Sequence, residues 1–223
     1  MDDYLFYPAT ATISAMPHAP ALSETAPSAA VTHVLYLHGF RSSPQSTKAR
    51  HMAALMKERF PTVTWWCPQL PASPQAAAAL IAQGTADWPA QTMAVMGSSL
   101  GGYYATWMAA QRGCKAVLIN PAVFPARDLA KYIGEQTAWH NPEERFYFAP
   151  EFVDELRALE SPTFQPSPAQ LLALIAKGDE VLDWREMSAR YPLAQQVLID
   201  GGDHALSNFD THLARVLAFL GLA

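Results

Sequence analysis

The stretch VMGSSLGG, residues 95–102, decides how the rest of the sequence is interpreted. It contains the pattern G-x-S-x-G: an apolar run ends at Gly97 and a helical run begins at Leu100. So sharp a turn between strand and helix forces its central residue, Ser99, into strained backbone angles, and Gly97 and Gly101 let the two backbones approach. The pattern therefore predicts Ser99 as a catalytic nucleophile, exposed above a helix N-terminus whose free N–H groups stabilise negative charge.

Six short apolar runs alternate with helical segments along the chain. The runs are continuously apolar, which is typical of a parallel sheet that is covered on both faces. The sequence therefore predicts an α/β fold with a mostly parallel sheet, helices on both faces, and ligands bound at the carboxyl ends of the strands. The predicted strands are residues 34–37, 62–66, 92–96, 116–119, 171–176 and 197–199, and the main helices are residues 46–60, 74–83, 100–110 and 207–220.

Two parts of the chain depart from this alternation. Residues 1–31 are rich in Ala, Pro, Ser and Thr and are predicted to form an N-terminal arm, in which residues 4–7 could be an edge strand. Residues 32–223 are predicted to be a single domain that is interrupted at about residues 121–168 by an insertion. This insertion is a candidate lid over a site, and it can also be an ordinary helical excursion with its own small core; the sequence leaves both readings open, and they are not exclusive. Its predicted helices are residues 126–133 and 150–159, with Trp139, Phe146, Tyr147 and Phe148 between them.

The composition is that of an ordinary globular chain, with 50% hydrophobic residues, 16% charged residues and a formal net charge of −5. A small net negative charge does not attract nucleic acid or an anionic membrane, so neither is predicted as a partner. No stretch approaches the roughly 18 apolar residues that cross a bilayer, and no secretory signal is recognisable, so a cytoplasmic location is expected. Cys67 and Cys114 lack metal-ligand spacing, which predicts two reduced thiols and no metal; no organic cofactor is predicted either.

A nucleophilic serine needs a base that removes its proton and an acid that orients the base. After a strand-to-helix turn of this kind, the acid precedes the histidine along the chain. His204, in the stretch DGGDHAL at residues 200–206, is the one histidine between the last predicted strand and the last predicted helix, and it is the candidate base. The candidate acid is Asp179, which lies nearer to the preceding strand than its competitor Asp183. Asp183 and Glu180 are expected to be helix-start or surface charges.

Two backbone N–H groups are expected to hold the negatively charged oxygen of the reaction intermediate. One should belong to Leu100, directly after Ser99, and the other to the loop HGFRSS that follows the first predicted strand. Phe40 is the candidate donor in that loop. Gly39 gives its backbone room, and His38 is expected to support the loop through a side-chain hydrogen bond.

Several motifs recur in an order that is more specific than any one of them. Together they resemble the small bacterial YqiA-type esterases, which are minimal members of the α/β-hydrolase superfamily. The resemblance runs from about residue 32 to the C-terminus, and it does not include residues 1–30. It implies a cytoplasmic serine esterase that acts on short acyl esters or acyl thioesters, with Ser99, Asp179 and His204 as its triad. The motifs are LYLHGFRSSPQSTKA at 35–49, PQLP at 68–71, GSSLGGYYAT at 97–106, NPA at 120–122, GDEVLD at 178–183 and GGDH at 201–204.

The predicted function is therefore hydrolysis of the carboxylic ester of a small molecule through an acyl-enzyme. An acyl-CoA thioesterase, an amidase or a carbon–carbon bond hydrolase would use the same triad, because the leaving group is selected by the shape of the pocket. A non-catalytic protein of the same fold that binds a ligand or partner is the alternative from another class. The sequence makes no prediction about the oligomeric state.

Overall fold

The structure is a computed structural model that describes residues 30–139, 141 and 143–223. The possible edge strand at residues 4–7 and nearly all of the proposed arm lie outside the described residues. The strands are β1 His33–Leu37, β2 Thr64–Trp66, β3 Met93–Ser98, β4 Lys115–Ile119, β5 Gly134–Thr137, β6 Arg145–Phe148, β7 Leu171–Ala176 and β8 Gln195–Ile199. The α-helices are α1 Thr47–Arg59, α2 Pro74–Gly84, α3 Leu100–Arg112, α4 Pro125–Leu129, α5 Glu151–Ala158, α6 Trp184–Arg190 and α7 Leu213–Leu220.

Six of these strands form one sheet in the order β2-β1-β3-β4-β7-β8, and every neighbouring pair is parallel. Successive side chains of a strand point to opposite faces of the sheet, so each strand contributes to two cores. In β1, Leu35 and Leu37 join a buried cluster with residues of α2, α3, α5 and α6, while Val34 and Tyr36 join a second cluster with α1 and α7. The predicted α/β fold with helices on both faces is thus confirmed.

The helices that cover the sheet bury one face each. In α1 the buried residues are Ala49, Met52 and Met56, whose spacing of three and four places them on one side of the helix. In α7 the buried residues are Val216, Leu217 and Leu220. No helix in the described part of the chain is long and apolar enough to cross a membrane.

Two predicted helices are shorter than expected, and one helix was not predicted. Residues 207–220 contain a 3₁₀ turn at Phe209–His212 before α7, and residues 126–133 divide into α4 and a 3₁₀ turn at Ala130–Tyr132. The additional helix, α6, has seven residues and buries only Met187, so it carries little apolar periodicity. It begins where the side chain of Asp183 accepts a hydrogen bond from the backbone N–H of Arg185 at 2.9 Å.

The segment around residues 121–168 also contains an antiparallel hairpin, β5–β6, that is separate from the main sheet. Its first strand, GEQT, has no buried residue, which is why apolar patterning did not predict it. Among the described residues of the segment, the buried ones form no separate core, because Phe148, Val153 and Leu156 are buried in the same cluster as α2 and α3. The excursion is therefore packed onto the main domain.

Candidate active site

Ser99 lies in the turn between β3 and α3 with φ 56° and ψ −122°, a backbone conformation that residues other than glycine rarely adopt. Backbone hydrogen bonds to the next strand hold it there. The N–H of Ser99 donates to the carbonyl of Ile119 at 3.0 Å, and the carbonyl of Ser99 accepts from the N–H of Ala122 at 3.0 Å. A strained conformation fixed from both sides is typical of a functional residue.

The two glycines of the pattern lie where the backbones come closest. A Cβ on Gly97 would lie 2.1 Å from the carbonyl oxygen of Gly101, and a Cβ on Gly101 would lie 1.9 Å from that of Leu37. Neither contact can be relieved by rotating a side chain, because the opposing atoms belong to the backbone. Gly39 is less tightly enclosed, since its Cβ would lie 3.1 Å from the Cβ of Ser99.

The structure brings the three sequence-predicted triad residues together. The Oγ of Ser99 lies 3.0 Å from Nε2 of His204, and Nδ1 of the same ring lies 2.8 Å from Oδ2 of Asp179. The side chain of Asp179 is fully buried, whereas that of His204 is 21% exposed. The serine hydroxyl, the imidazole and the carboxylate therefore form an unbroken chain of hydrogen bonds.

Local backbone geometry selects Asp179 over Asp183 as the partner of the imidazole. Its Oδ1 accepts hydrogen bonds from the N–H groups of Val181 and Leu182, both at 2.8 Å, which leaves Oδ2 directed at His204. Asp183 instead begins α6. Of the two carboxylates that the sequence offered, only Asp179 contacts the imidazole.

The loop that follows β1 forms a tight turn beside Ser99. The N–H of Ser42 donates to the carbonyl of Gly39 at 3.2 Å, with Phe40 and Arg41 as the central residues and φ 59° at Arg41. Phe40 and Leu100 both line the pocket next to Ser99. As the first residue of α3, Leu100 has no acceptor one helical turn earlier, so its N–H is available to a bound oxygen.

His38 is buried beneath this turn. Its Nε2 accepts a hydrogen bond from the backbone N–H of Leu70 at 3.1 Å, so the ring proton lies on Nδ1. From there it donates to the carbonyl of Gly39 at 3.0 Å. The ring therefore joins the turn to the loop after β2.

A pocket of about 830 Å³ opens around Ser99 and His204. One wall belongs to the excursion between β4 and β7, and we call Leu129, Lys131, Tyr132 and Trp139 the insertion wall. Polar residues in another part of the lining come from the start of α1, including Lys48, from Ser46 just before it, and from the residues that follow His204. Burial lowers the pKa of Lys48, an effect that the nearby Asp203 opposes, and its Nζ donates to the carbonyl of Ala205.

Sequence reasoning did not single out Arg41, which joins the turn beside Ser99 to the hairpin. Its guanidinium donates from Nε to the carbonyl of Thr137 at 2.6 Å and from Nη2 to the hydroxyl of the same residue at 2.9 Å. It also lies 4.1 Å from the ring centre of Trp139, and the backbone N–H of Trp139 donates to the Arg41 carbonyl at 2.8 Å. The ring of the adjacent Phe40 packs against Tyr132 and Phe146.

Two further side chains that hold the histidine loop were also missed. Glu180 accepts a hydrogen bond from the backbone N–H of His204 at 2.9 Å, and Asn120 donates to the carbonyl of the same residue at 3.0 Å. The signal for Asn120 was its place in the NPA motif directly after a strand, but nothing in the sequence indicated its partner. Within the described residues, no group of three or more His, Cys, Asp or Glu side chains could hold a metal ion.

Three solved structures illustrate what the chain is similar to. Mouse alpha/beta hydrolase domain-containing protein 10 is 17% identical with a TM-score of 0.62, and the match covers 83% of this chain and 87% of that one. A structure from the metagenome-derived lipolytic enzymes LipS and LipT is 19% identical, with a TM-score of 0.62 over 88% and 96%. Est1E from Butyrivibrio proteoclasticus with bound ferulic acid is 14% identical, with a TM-score of 0.61 over 86% and 87%.

At these identities the likeness establishes the α/β-hydrolase fold. The family is established by the sequence itself, since residues 33–221 match the uncharacterised protein family UPF0227. The expected resemblance to YqiA-type α/β-hydrolases is thereby confirmed. Because the match spans most of the chain, the protein belongs to the family UPF0227.

Proposed function

We propose that the protein is a serine esterase that hydrolyses small or short-acyl carboxylic esters through an acyl-enzyme. The observation that carries this proposal is the chain of hydrogen bonds from Asp179 through His204 to Ser99 at the edge of a large pocket. Such a chain raises the nucleophilicity of a hydroxyl that is otherwise unreactive at neutral pH. A protein that only binds a ligand has no need of it.

In the first half of the reaction, Ser99 Oγ attacks the acyl carbonyl carbon while Nε2 of His204 takes the hydroxyl proton. Asp179 keeps the other ring proton on Nδ1 and stabilises the resulting imidazolium. The carbonyl oxygen becomes negatively charged and accepts hydrogen bonds from the N–H groups of Leu100 and Phe40. When this intermediate collapses, the bond to the alcohol breaks, and the leaving oxygen takes the proton from Nε2.

In the second half, a water molecule takes the place of the alcohol. His204 removes one of its protons as the water oxygen attacks the acyl carbon, and the same two N–H groups hold the oxyanion. Collapse breaks the bond to Ser99 Oγ, which recovers its proton from Nε2. The carboxylic acid leaves, and the three side chains return to their starting protonation states.

The substrate we propose is a small molecule with an apolar or aromatic part. The pocket volume of about 830 Å³ supports a ligand of drug size. Leu129, Tyr132 and Trp139 would contact its apolar part, and the ferulic acid bound by Est1E is an aromatic acid that a wall of this kind could accommodate. We further propose that residues 32–223 are one domain and that its insertion, residues 121–168, acts as the lid.

Turnover of nitrophenyl esters of increasing acyl length, measured beside acyl-CoA thioesters of the same acids, tests the function. The wild-type protein should prefer the esters, and Ser99→Ala should lower kcat about 10³-fold or more. Ser98→Ala is the matched control, because it removes the neighbouring hydroxyl from the same turn. Equal turnover by the Ser99 variant would end the proposal, and higher kcat/KM on the thioesters would replace esterase by thioesterase.

A further inference from the structure

The backbone of Ser99 is held from both sides by the segment INPA at 119–122, which consists of the last residue of β4 and the three residues after it. The carbonyl of Ile119 accepts from the N–H of Ser99 at 3.0 Å, and the N–H of Ala122 donates to its carbonyl at 3.0 Å. Any movement of this segment is therefore transmitted to the serine. Asn120 lies between these two anchoring points.

The side chain of Asn120 extends to the two other loops of the site. Its Nδ2 donates to the carbonyl oxygens of Asp203 at 2.9 Å and of His204 at 3.0 Å. Its Oδ1 accepts from the N–H of Ala176 at 2.8 Å. Ala176 ends β7, three residues before Asp179. The side chain is thus bound to the backbone at or near both partners of Ser99.

The setting of Asn120 fits this role and limits the residues that could replace it. It is completely buried, and its φ of 41° lies in the left-handed region that asparagine, aspartate and glycine tolerate best. Two carbonyls and one N–H must be satisfied by one short side chain, and the amide supplies both donors and the acceptor. An apolar side chain of the same size would leave these three backbone groups without the partners that the amide supplies.

We infer that Asn120 is a positioning residue that sets the distance between Ser99 Oγ and His204 Nε2. This inference rests on the proposed function of the triad. It adds a role for Asn120, which acts through Ser99 and His204. The backbone around Asn120 fixes the nucleophile, and its amide fixes the base. A displacement of about 1 Å between reacting groups can lower a rate about 10²-fold. Loss of the amide can therefore lower kcat even though the amide does not contact the substrate.

Two substitutions separate the amide from the backbone conformation. Asn120→Asp keeps the shape and the tolerance for positive φ, but its carboxylate faces two carbonyl oxygens and cannot donate when ionised. Asn120→Gly keeps the backbone unstrained and removes the side chain. Asn208→Asp is the matched control, because it makes the same change at an exposed asparagine four residues after His204.

The test measures kcat and KM on a nitrophenyl ester for each variant, per active site titrated with a fluorophosphonate. We expect kcat to fall about 10²-fold in Asn120→Asp and Asn120→Gly with KM within about 2-fold of wild type, and Asn208→Asp to match wild type. A residue that merely stabilised the fold would lower the melting temperature and leave kcat per site unchanged. A kcat within about 3-fold of wild type in a folded Asn120→Asp protein would overturn the inference.

A second measurement keeps this inference separate from the proposed function. The proton on Nδ1 of His204, shared with Asp179, gives a downfield NMR signal whether or not the protein hydrolyses esters. We expect this signal to shift or broaden in Asn120→Asp and to be unchanged in Asn208→Asp. If wild type hydrolyses no ester, the proposed function fails, and an unchanged signal in Asn120→Asp would then overturn the role of Asn120 independently.

Discussion

Two regions meet at Ser99, and they are built differently. The strand-end framework (Ser99, Asn120, Asp179 and His204) follows β3, β4, β7 and β8, and its members are linked by hydrogen bonds of 2.8–3.0 Å in which the Asp179 and Asn120 side chains are buried. The insertion wall instead belongs to the excursion between β4 and β7, in which no wall residue lies directly after a strand of the main sheet, and Trp139 is 71% exposed.

This difference indicates a division of work within the site. Hydrogen bonds that tie several strand ends together through buried side chains allow few alternative arrangements, which suits groups that must meet within fractions of an ångström. Exposed aromatic contacts can be exchanged with little effect on the sheet, which suits groups that select a substrate. Substitutions in the framework should therefore change kcat or stability strongly, and substitutions in the wall should mainly change KM.

The largest effect is expected from Asp179→Asn. The amide keeps the shape of the carboxylate but does not stabilise the imidazolium and favours the wrong ring tautomer, so kcat should fall about 10⁴-fold. Steady-state hydrolysis of a nitrophenyl ester measures this loss. Asp183→Asn is the control and should retain nearly full activity, and equal losses in the two variants would remove Asp179 from the triad.

Gly101→Ala should have the next largest effect, on stability. The new Cβ would lie 1.9 Å from a backbone carbonyl of β1, so the turn at Ser99 cannot form without moving a strand. We expect the free energy of unfolding in urea to fall by more than about 4 kcal/mol. Gly113→Ala is the control: apart from its chain neighbours, no atom of the described residues lies within 4 Å of the added Cβ, and only the positive φ costs about 1 kcal/mol. Similar values for both variants would contradict the close approach.

Arg41→Ala tests the connection between the two regions. It removes the guanidinium bonds to Thr137 and the stacking on Trp139. Charge-assisted hydrogen bonds contribute about 1.5–3 kcal/mol, so we expect kcat/KM to fall about 10-fold as the turn that carries Phe40 loosens. Arg145→Ala, which breaks an exposed ion pair on the same hairpin, should leave kcat/KM unchanged. If Arg145→Ala lowers kcat/KM as much as Arg41→Ala does, the hairpin affects the site through contacts other than those of Arg41.

The smallest effect is expected from Trp139→Ala, which removes an aromatic ring from the insertion wall. KM for an aryl-acyl ester should rise about 5-fold while kcat and the KM for an acetyl ester stay constant, because an aromatic pair contributes about 0.5–1.5 kcal/mol. Tyr147→Ala is the matched control, since Tyr147 is also exposed on the hairpin but does not line the pocket. A fall in kcat for both esters would instead assign Trp139 to the framework.

The same division explains how much the sequence could predict. The turn at Ser99 was predictable because Gly97 and Gly101 are required by local backbone geometry. Asp179 and His204 were predictable because each lies within five residues of the end of an apolar strand. The hairpin β5–β6 was not, since GEQT carries no pattern and its partners lie in other parts of the chain. Asn120 belongs to a recognisable motif, but that motif does not indicate its partners. These are Ala176 and the loop of His204, which are distant in the sequence.

The central claim, that Ser99 is an activated nucleophile, is tested most directly by treating the wild-type protein with a fluorophosphonate and analysing its peptides by mass spectrometry. We predict one phosphonyl group per chain, located on Ser99, with loss of ester hydrolysis in proportion to labelling and no labelling in His204→Ala on the same timescale. Labelling of a different residue, or an unlabelled wild-type protein that still hydrolyses esters, would contradict the claim.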